Sequence, residues 1–211
     1  MWVGPFNLMI IRQLFPEPLY FSKLERVLTK KELKTINEYK KKTASNEGNI
    51  TSSENYVLEN KAFNNLKKDL YTKVMDYFDK VICTDNLITP YITQSWINCT
   101  KSDQFHHKHN HQNSFVSGIF YISADKKVDS VTFYKLSLDD RIKLNITKYN
   151  IFNSSSYKFP VETGNILLFR SSLVHGVGKK KGNNIRISLS FNVFIKGTVG
   201  NKTNLNELIL E

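Results

Sequence analysis

Two hydrophobic rhythms divide the chain. Over the first part, apolar residues recur at helical spacing. Thr29-Lys30-Lys31-Glu32 has the form of a capping box, in which the threonine hydroxyl accepts from the backbone at Glu32 and the glutamate reaches back. Leu33, Ile36 and Tyr39 follow on one predicted helical face. Residues 43–54 are polar, with Gly48 and paired serines, and read as a loop. Asn60 is placed to cap a longer helix whose stripe is Phe63, Leu66, Leu70, Val74, Phe78 and Val81. Such a stripe packs against a core.

After Pro90 the rhythm shortens. Residues 91–98, 115–122, 130–136, 165–169 and 185–195 are rich in β-branched and aromatic residues, with Gly, Asn, Asp and Lys clusters between them. In the last of these, Ile185, Ile187, Leu189, Phe191 and Val193 alternate with Arg186, Ser188, Ser190 and Asn192. A period of two marks a strand with two chemically different faces. Helices followed by many short strands predict an α+β, mainly β chain, built as a β-sandwich or jelly roll. The expected organisation is one domain over 1–211, with a mostly helical part over 1–89, a β core over 90–197 and a tail over 198–211.

Composition narrows the picture. The chain has 211 residues, of which 40% are hydrophobic and 12% aromatic, enough for one globular core and too few for two. No apolar run reaches the roughly 18 residues that a membrane-spanning helix needs. The apolar start over 1–11 lacks a basic leader and is interrupted by Pro5 and Asn7, so it is not read as a signal peptide; a cytoplasmic setting, in a bacterium or a virus-infected cell, is expected. Cys83 and Cys99 form no CxxC pair and read as reduced thiols. The sequons at Asn98 and Asn145 are expected by chance in an Asn-rich chain. The formal net charge is +11, but its lysines are scattered and no nucleic-acid-binding motif accompanies them. The densest C-terminal run, Lys179-Lys180-Lys181, precedes Gly182 in what reads as a hairpin turn.

The chemistry concentrates in the histidines. Of five, four lie in Phe105-His106-His107-Lys108-His109-Asn110-His111, and the fifth is His175. The cluster leads into an apolar segment, so an extended conformation is expected. On a strand His109 and His111 project from one face and can aim two imidazoles at one metal ion. His107 shares that parity and competes; His106 and Asn110 point away. His175 follows the apolar run 165–169 and supplies a third ligand. Arg186 and Ser188 share the polar face of the last long strand. A guanidinium aimed into a barrel needs an anion, and its planar fork suits a carboxylate; an internal salt bridge is the structural alternative. These pieces fit iron(II) held by three side chains with positions left open for 2-oxoglutarate and dioxygen, the far carboxylate of the cosubstrate resting on Arg186 and Ser188.

The segments Trp96-Ile97-Asn98, His109-Asn110-His111-Gln112-Asn113-Ser114, Ser117-Gly118-Ile119-Phe120-Tyr121 and Arg186-Ile187-Ser188-Leu189-Ser190-Phe191-Asn192 resemble the 2-oxoglutarate/iron(II) oxygenases of bacteria and marine phages, distant relatives of the prolyl 4-hydroxylases. The glycine-led strand from Gly164 to His175 and the opening Leu14-Phe15-Pro16-Glu17-Pro18-Leu19 extend the likeness. The resemblance implies a double-stranded β-helix (cupin-like jelly roll) over 90–197, supported by the N-terminal helices. It implies a 2-oxoglutarate- and iron(II)-dependent dioxygenase that hydroxylates an unidentified substrate, a protein side chain or small molecule, with release of succinate and carbon dioxide. It puts the metal on His109, His111 and His175, and the cosubstrate on Arg186, Ser188, Tyr121 and Asn98. Tyr121 reads equally as a core aromatic. The chain departs from the wider superfamily in having His111 where a carboxylate is usual, and Arg170 where proline is more frequent. Three histidines also suit zinc, so a zinc enzyme activating water and a non-catalytic cupin-like metal-binding module stand as alternatives. Binding of nucleic acid by charge alone is a further, weaker reading. No membrane partner is expected, and a homodimer is compatible with the sequence.

Overall fold

In the computed structural model, which describes residues 11–135 and 144–211, two antiparallel sheets face one another and helices cover the outer side of the larger one. The expected apolar start over 1–11, apart from Ile11, and Leu136, the end of the strand expected over 130–136, lie outside the described residues.

Strand β1 is Tyr20–Lys23, followed by helix α1 at Lys30–Tyr39. The capping box of α1 is formed: Thr29 Oγ1 accepts from Glu32 N–H (3.2 Å), and Glu32 Oε2 accepts from Thr29 N–H (2.7 Å). Ile36 is buried and Tyr39 packs against the core, but Leu33 is 44% exposed. The inward face of α1 instead carries Glu32, held by Arg26 Nη1 and Nη2 at 2.9 and 2.7 Å. A capping carboxylate shared with an arginine thus takes a core-facing position.

The segment 43–54, expected as a loop, is a hairpin. Strands β2 (Thr43–Asn46) and β3 (Asn49–Ser52) pair around Gly48 at φ 85°, and β3 adds to the edge of the long strand β4 (Ile88–Thr100). Its polarity hid it. Ser52 Oγ accepts from Ile97 N–H (3.0 Å) and donates to Glu54 O (2.8 Å), so polar side chains, not an apolar face, fix the hairpin. Asn60 accepts from Ala62 N–H at the start of a short 3-10 turn that runs into helix α2, Asn64–Tyr77. Phe63, Leu66, Leu70, Val74 and Phe78 are buried, as the stripe predicts.

The remaining strands are β4 (Ile88–Thr100), β5 (His106–His109), β6 (Val116–Ser123), β7 (Ser130–Tyr134), β8 (Ser156–Pro160), β9 (Asn165–Arg170), β10 (His175–Val177), β11 (Arg186–Val199) and β12 (Leu208–Leu210). The large sheet runs β1-β9-β6-β11-β4-β3-β2, with β12 on the far end of β11, and the small sheet runs β5-β10-β7-β8. Pro90 lies within β4 opposite Ile195, beyond the reach of β3, where the missing N–H costs no ladder bond. The first 89 residues therefore supply three strands of the large sheet as well as the helices.

Alternation on the central strands divides the molecule. Phe120, Ile122, Ile166, Leu168, Ile187, Leu189, Phe191 and Val193 share one hydrophobic cluster with the residues of α2. Ile119, Tyr121, Leu167 and Phe169 face the other way and cluster with Val131 and Phe133 of the small sheet. The polar residues of β11 line the gap between the sheets. The chain from β10 to β11 crosses between sheets, so Lys179–Lys181 is not a hairpin turn. Lys180 is buried, donates to Gly182 O (3.1 Å) and Asn184 Oδ1 (2.7 Å), and lies 3.7 Å from Asp129 Oδ1. Cys83 and Cys99 are free. No helix among the described residues is long and apolar enough to cross a membrane.

Gly118 marks the closest packing in the sheet. A Cβ built there would lie 2.1 Å from Phe191 Cζ, on a ring that is fully buried. Gly118→Ala is expected to cost about 1–3 kcal/mol by overpacking. Chemical denaturation should show that Phe191→Leu recovers part of this loss in the double variant. Additive losses would mean that the ring is not what excludes the methyl group.

Candidate metal centre and its pocket

The metal-binding potential arises where β5 meets β10. The antiparallel register sets His109 opposite His175, and their ring centroids are 4.4 Å apart. The chain leaves the strand after His109, so His109 and His111 do not share one strand as the sequence suggested. His111 is held by its N–H donating to Ser171 O (2.9 Å). Its ring stacks on that of His175 at 5.3 Å and lies 5.6 Å from Trp96. One ring nitrogen from each of His109, His111 and His175 lies within 4.8 Å of the others, so the three can hold one metal ion.

Two of these imidazoles have their tautomer fixed. His109 Nδ1 donates to His107 O (2.9 Å), and His175 Nδ1 donates to Leu173 O (3.0 Å). A carbonyl can only accept, so each proton sits on Nδ1 and each Nε2 keeps its lone pair for a metal.

His106 departs from the expectation that it points away. His109 pairs with His175 but His106 pairs with Val177, so three steps on β5 match two on β10. This irregularity reverses the parity of the pleat. It turns His106 into the pocket, stacked on His109 at 4.5 Å. His106 Nε2 meets the amide of Asn46, on the β2–β3 hairpin, at 3.2 Å.

Behind the histidines, the floor of the pocket is three facing rows. Ser190, Ser188 and Arg186 of β11 lie opposite Trp96, Asn98 and Thr100 of β4, while Ile119 and Tyr121 of β6 lie opposite Ser190 and Ser188. The pocket thus brings together all seven residues singled out from the sequence: His109, His111, His175, Arg186, Ser188, Tyr121 and Asn98. Asn98 Nδ2 donates to Ser190 Oγ (3.0 Å), a contact that the β11 alternation could have suggested. The hydroxyl chain Ser114–Ser171–Ser117 (2.7 and 2.9 Å), which braces the bend carrying His111, had no sequence signal.

Arg186 is buried and makes no ion pair among the described residues. Nη1 donates to Ser130 O (3.3 Å), Nη2 donates to Thr100 Oγ1 (3.1 Å), and Nε has no partner among the described residues. The buried carboxylate of Asp129 is engaged by Asn184 (2.7 Å) and stands against Lys180. Burial lowers the Arg186 pKa. Burial also pushes the Tyr121 hydroxyl up to about 12, so it remains a proton donor. Burial, followed by the neighbouring histidines, holds His106 and His175 down to about 3 and His111 to about 4. His109 is lowered as well, first by burial.

Residues 94–192 match the family described as "Putative 2OG-Fe(II) oxygenase". Among solved structures, the chain is similar to a prolyl hydroxylase from Trichoplax adhaerens, in complex with a hypoxia inducible factor peptide, at 13% identity and a TM-score of 0.57, covering 83% of each chain. It is also similar to HygX from Streptomyces hygroscopicus with nickel and 2-oxoglutarate bound (11% identity, TM-score 0.55, 84% of this chain and 82% of that one). A third similar structure is SnoN, a non-haem α-ketoglutarate-dependent epimerase from nogalamycin biosynthesis (10% identity, TM-score 0.60, 84% and 78%). At these identities the shared property is the jelly-roll fold. No curated protein matches the sequence.

The depressed imidazoles set the sign of an acid effect. Their folded pKa values lie below the ordinary 6.5, so the unfolded chain binds more protons once the pH drops under that value. Stability of the metal-free protein is therefore lost as pH falls from about 6.5 towards the folded values. Chelator-treated protein is expected to melt at a lower temperature at pH 5 than at pH 7, and the difference should shrink in His106→Gln and His111→Gln. Equal pH dependence in all three proteins would count against burial as the cause.

Proposed function

We propose that this chain, whose residues 94–192 match the 2OG-Fe(II) oxygenase family, holds iron(II) on His109, His111 and His175 and binds 2-oxoglutarate against Arg186 to hydroxylate a substrate. The observation that carries the reading is the buried guanidinium without an ion pair among the described residues, on the floor of the same pocket that the three imidazoles line. A buried cation is costly unless an anion meets it. The far carboxylate of 2-oxoglutarate supplies that anion, and Arg186 is suited to take it through its planar fork.

The residues present fit such a ligand set. Three neutral imidazoles leave the full +2 charge on the metal, which a dianionic cosubstrate offsets. The Nε2 lone pairs of His109 and His175 are free because both Nδ1 protons are committed to backbone carbonyls. Tyr121 stays protonated and can donate to a carboxylate; Ser188 lies beside it in register. Asn98 is oriented by Ser190 and keeps Oδ1 without a partner among the described residues. Ile119, Val131 and Phe169 wall the pocket and exclude water around these groups. When bound, iron and cosubstrate supply the oxidising chemistry: dioxygen is reduced, 2-oxoglutarate yields succinate and carbon dioxide, and the substrate gains a hydroxyl oxygen. The substrate is a protein side chain or a small molecule.

The test is an oxygen-free titration of untagged protein with iron(II) and 2-oxoglutarate, following the weak visible charge-transfer band. Wild type is expected to develop the band, and His175→Ala to lose it. Arg186→Ala should weaken cosubstrate binding roughly 30- to 1,000-fold, the scale of a buried charge pair losing one partner. Iron binding without a band would instead favour the three-histidine zinc enzyme or the metal-binding module.

A further inference from the structure

The same register irregularity that turns His106 inward creates a second set of imidazoles. His106, His107 and His109 each offer a ring nitrogen within 4.8 Å of the other two. Their ring centroids are 5.2, 4.8 and 4.5 Å apart. The set lies toward the surface, where all three residues are partly exposed, whereas His175 in the inner set is buried. His107 Nδ1 is shielded from solvent and has no hydrogen-bond partner among the described residues. The carboxylate of Glu47 stands 3.7 Å from that nitrogen. Adjacent imidazoles backed by an acidic oxygen suit a borderline-soft divalent ion such as zinc.

We propose that His106, His107 and His109 form an outer zinc-class metal position, with Glu47 beside it, and that this position excludes occupancy of the inner one. The exclusion follows from His109, which belongs to both sets. A neutral imidazole has one lone pair, because its other nitrogen carries the proton. In His109 that proton is on Nδ1, bound to His107 O. His109 can therefore ligate one ion at a time. An ion in the outer position leaves the inner set with His111 and His175 only, so the outer position is inhibitory towards the activity proposed above. Only this inhibitory consequence rests on that reading; the site itself does not.

The hairpin β2–β3 restrains the outer position. Asn46 Oδ1 accepts from Glu47 N–H (2.9 Å), which orients its amide nitrogen toward His106 Nε2 (3.2 Å). The His106 lone pair is then engaged by an amide, and an incoming ion displaces that hydrogen bond. Asn46 thus weakens the outer position without touching the inner set.

The experiment uses zinc alone, titrated into the full chain against a chromogenic chelator, with circular dichroism confirming that each variant folds. Wild type should bind one zinc ion. His107→Ala, which lacks only the outer set, and His111→Ala, which lacks only the inner set, should each still bind one. The double variant should bind at least 100-fold more weakly than either. Asn46→Ala in the His111→Ala background should bind several-fold more tightly. His111→Ala losing zinc as completely as the double variant would overturn the outer site, and two zinc ions in wild type would overturn the exclusion. If His111→Ala does not fold, His175→Ala serves as the inner-set variant. Because no 2-oxoglutarate is present, failure here is distinct from failure of the cosubstrate band.

Discussion

The pleat of β11 is the constraint on which the rest of the molecule depends. This strand lies between β6 and β4, so its backbone groups are committed on both edges and its side chains can face only two ways. One face is filled by Ile187, Leu189, Phe191 and Val193 against the helices. The other must present Arg186, Ser188 and Ser190 to the interior. A shift of one residue would bury the arginine in the helix-facing core and expose the apolar row to the pocket. The hydrophobic effect on one side therefore fixes the polar chemistry on the other. Gly118, forced small by the Phe191 ring, shows how little slack that arrangement leaves.

The histidines answer to a different rule. They belong to the small sheet, at the short pairing of β5 with β10, where the register is irregular. The irregularity brings His106 to the same side of the strand as His109, and the bend after β5 brings His111 beside them. The Nδ1–carbonyl bonds then decide which nitrogen faces inward. Their burial keeps the rings uncharged, and uncharged rings are what a metal requires. Opposite them, Arg186 brings one fixed positive charge that the described residues do not neutralise.

Much of this was legible in the sequence because it rests on periodicity. The α2 stripe, the Thr29–Glu32 capping box and the alternation of β11 all follow from spacing, and the structure has them where the spacing put them. Five of the pocket residues, His109, His111, His175, Arg186 and Ser188, were readable as types whose chemistry converges, and Tyr121 and Asn98 came only through the family resemblance, although the sequence could not place β5 and β10 side by side. What escaped had no hydrophobic signature. The hairpin β2–β3 is held by polar side chains and by its addition to β4. His106 was assigned to the wrong face because a regular pleat cannot foresee a bulge. Lys180 was read as part of a hairpin turn because the buried Asp129 that it faces is 51 positions away in sequence. Long-range pairings of this kind leave no local pattern.

The buried guanidinium of Arg186 has one more consequence. Under the proposed assignment, the ligand-free protein folds around a cation that lacks its anion, and the cosubstrate behaves as a missing piece of the interior. Any molecule that binds only the folded chain stabilises it by mass action, by about 2.7 kcal/mol at a hundred times its dissociation constant. The amount of intact protein in a cell would then rise and fall with the supply of one central metabolite. Its abundance, and not only its turnover, would then carry a record of cosubstrate supply.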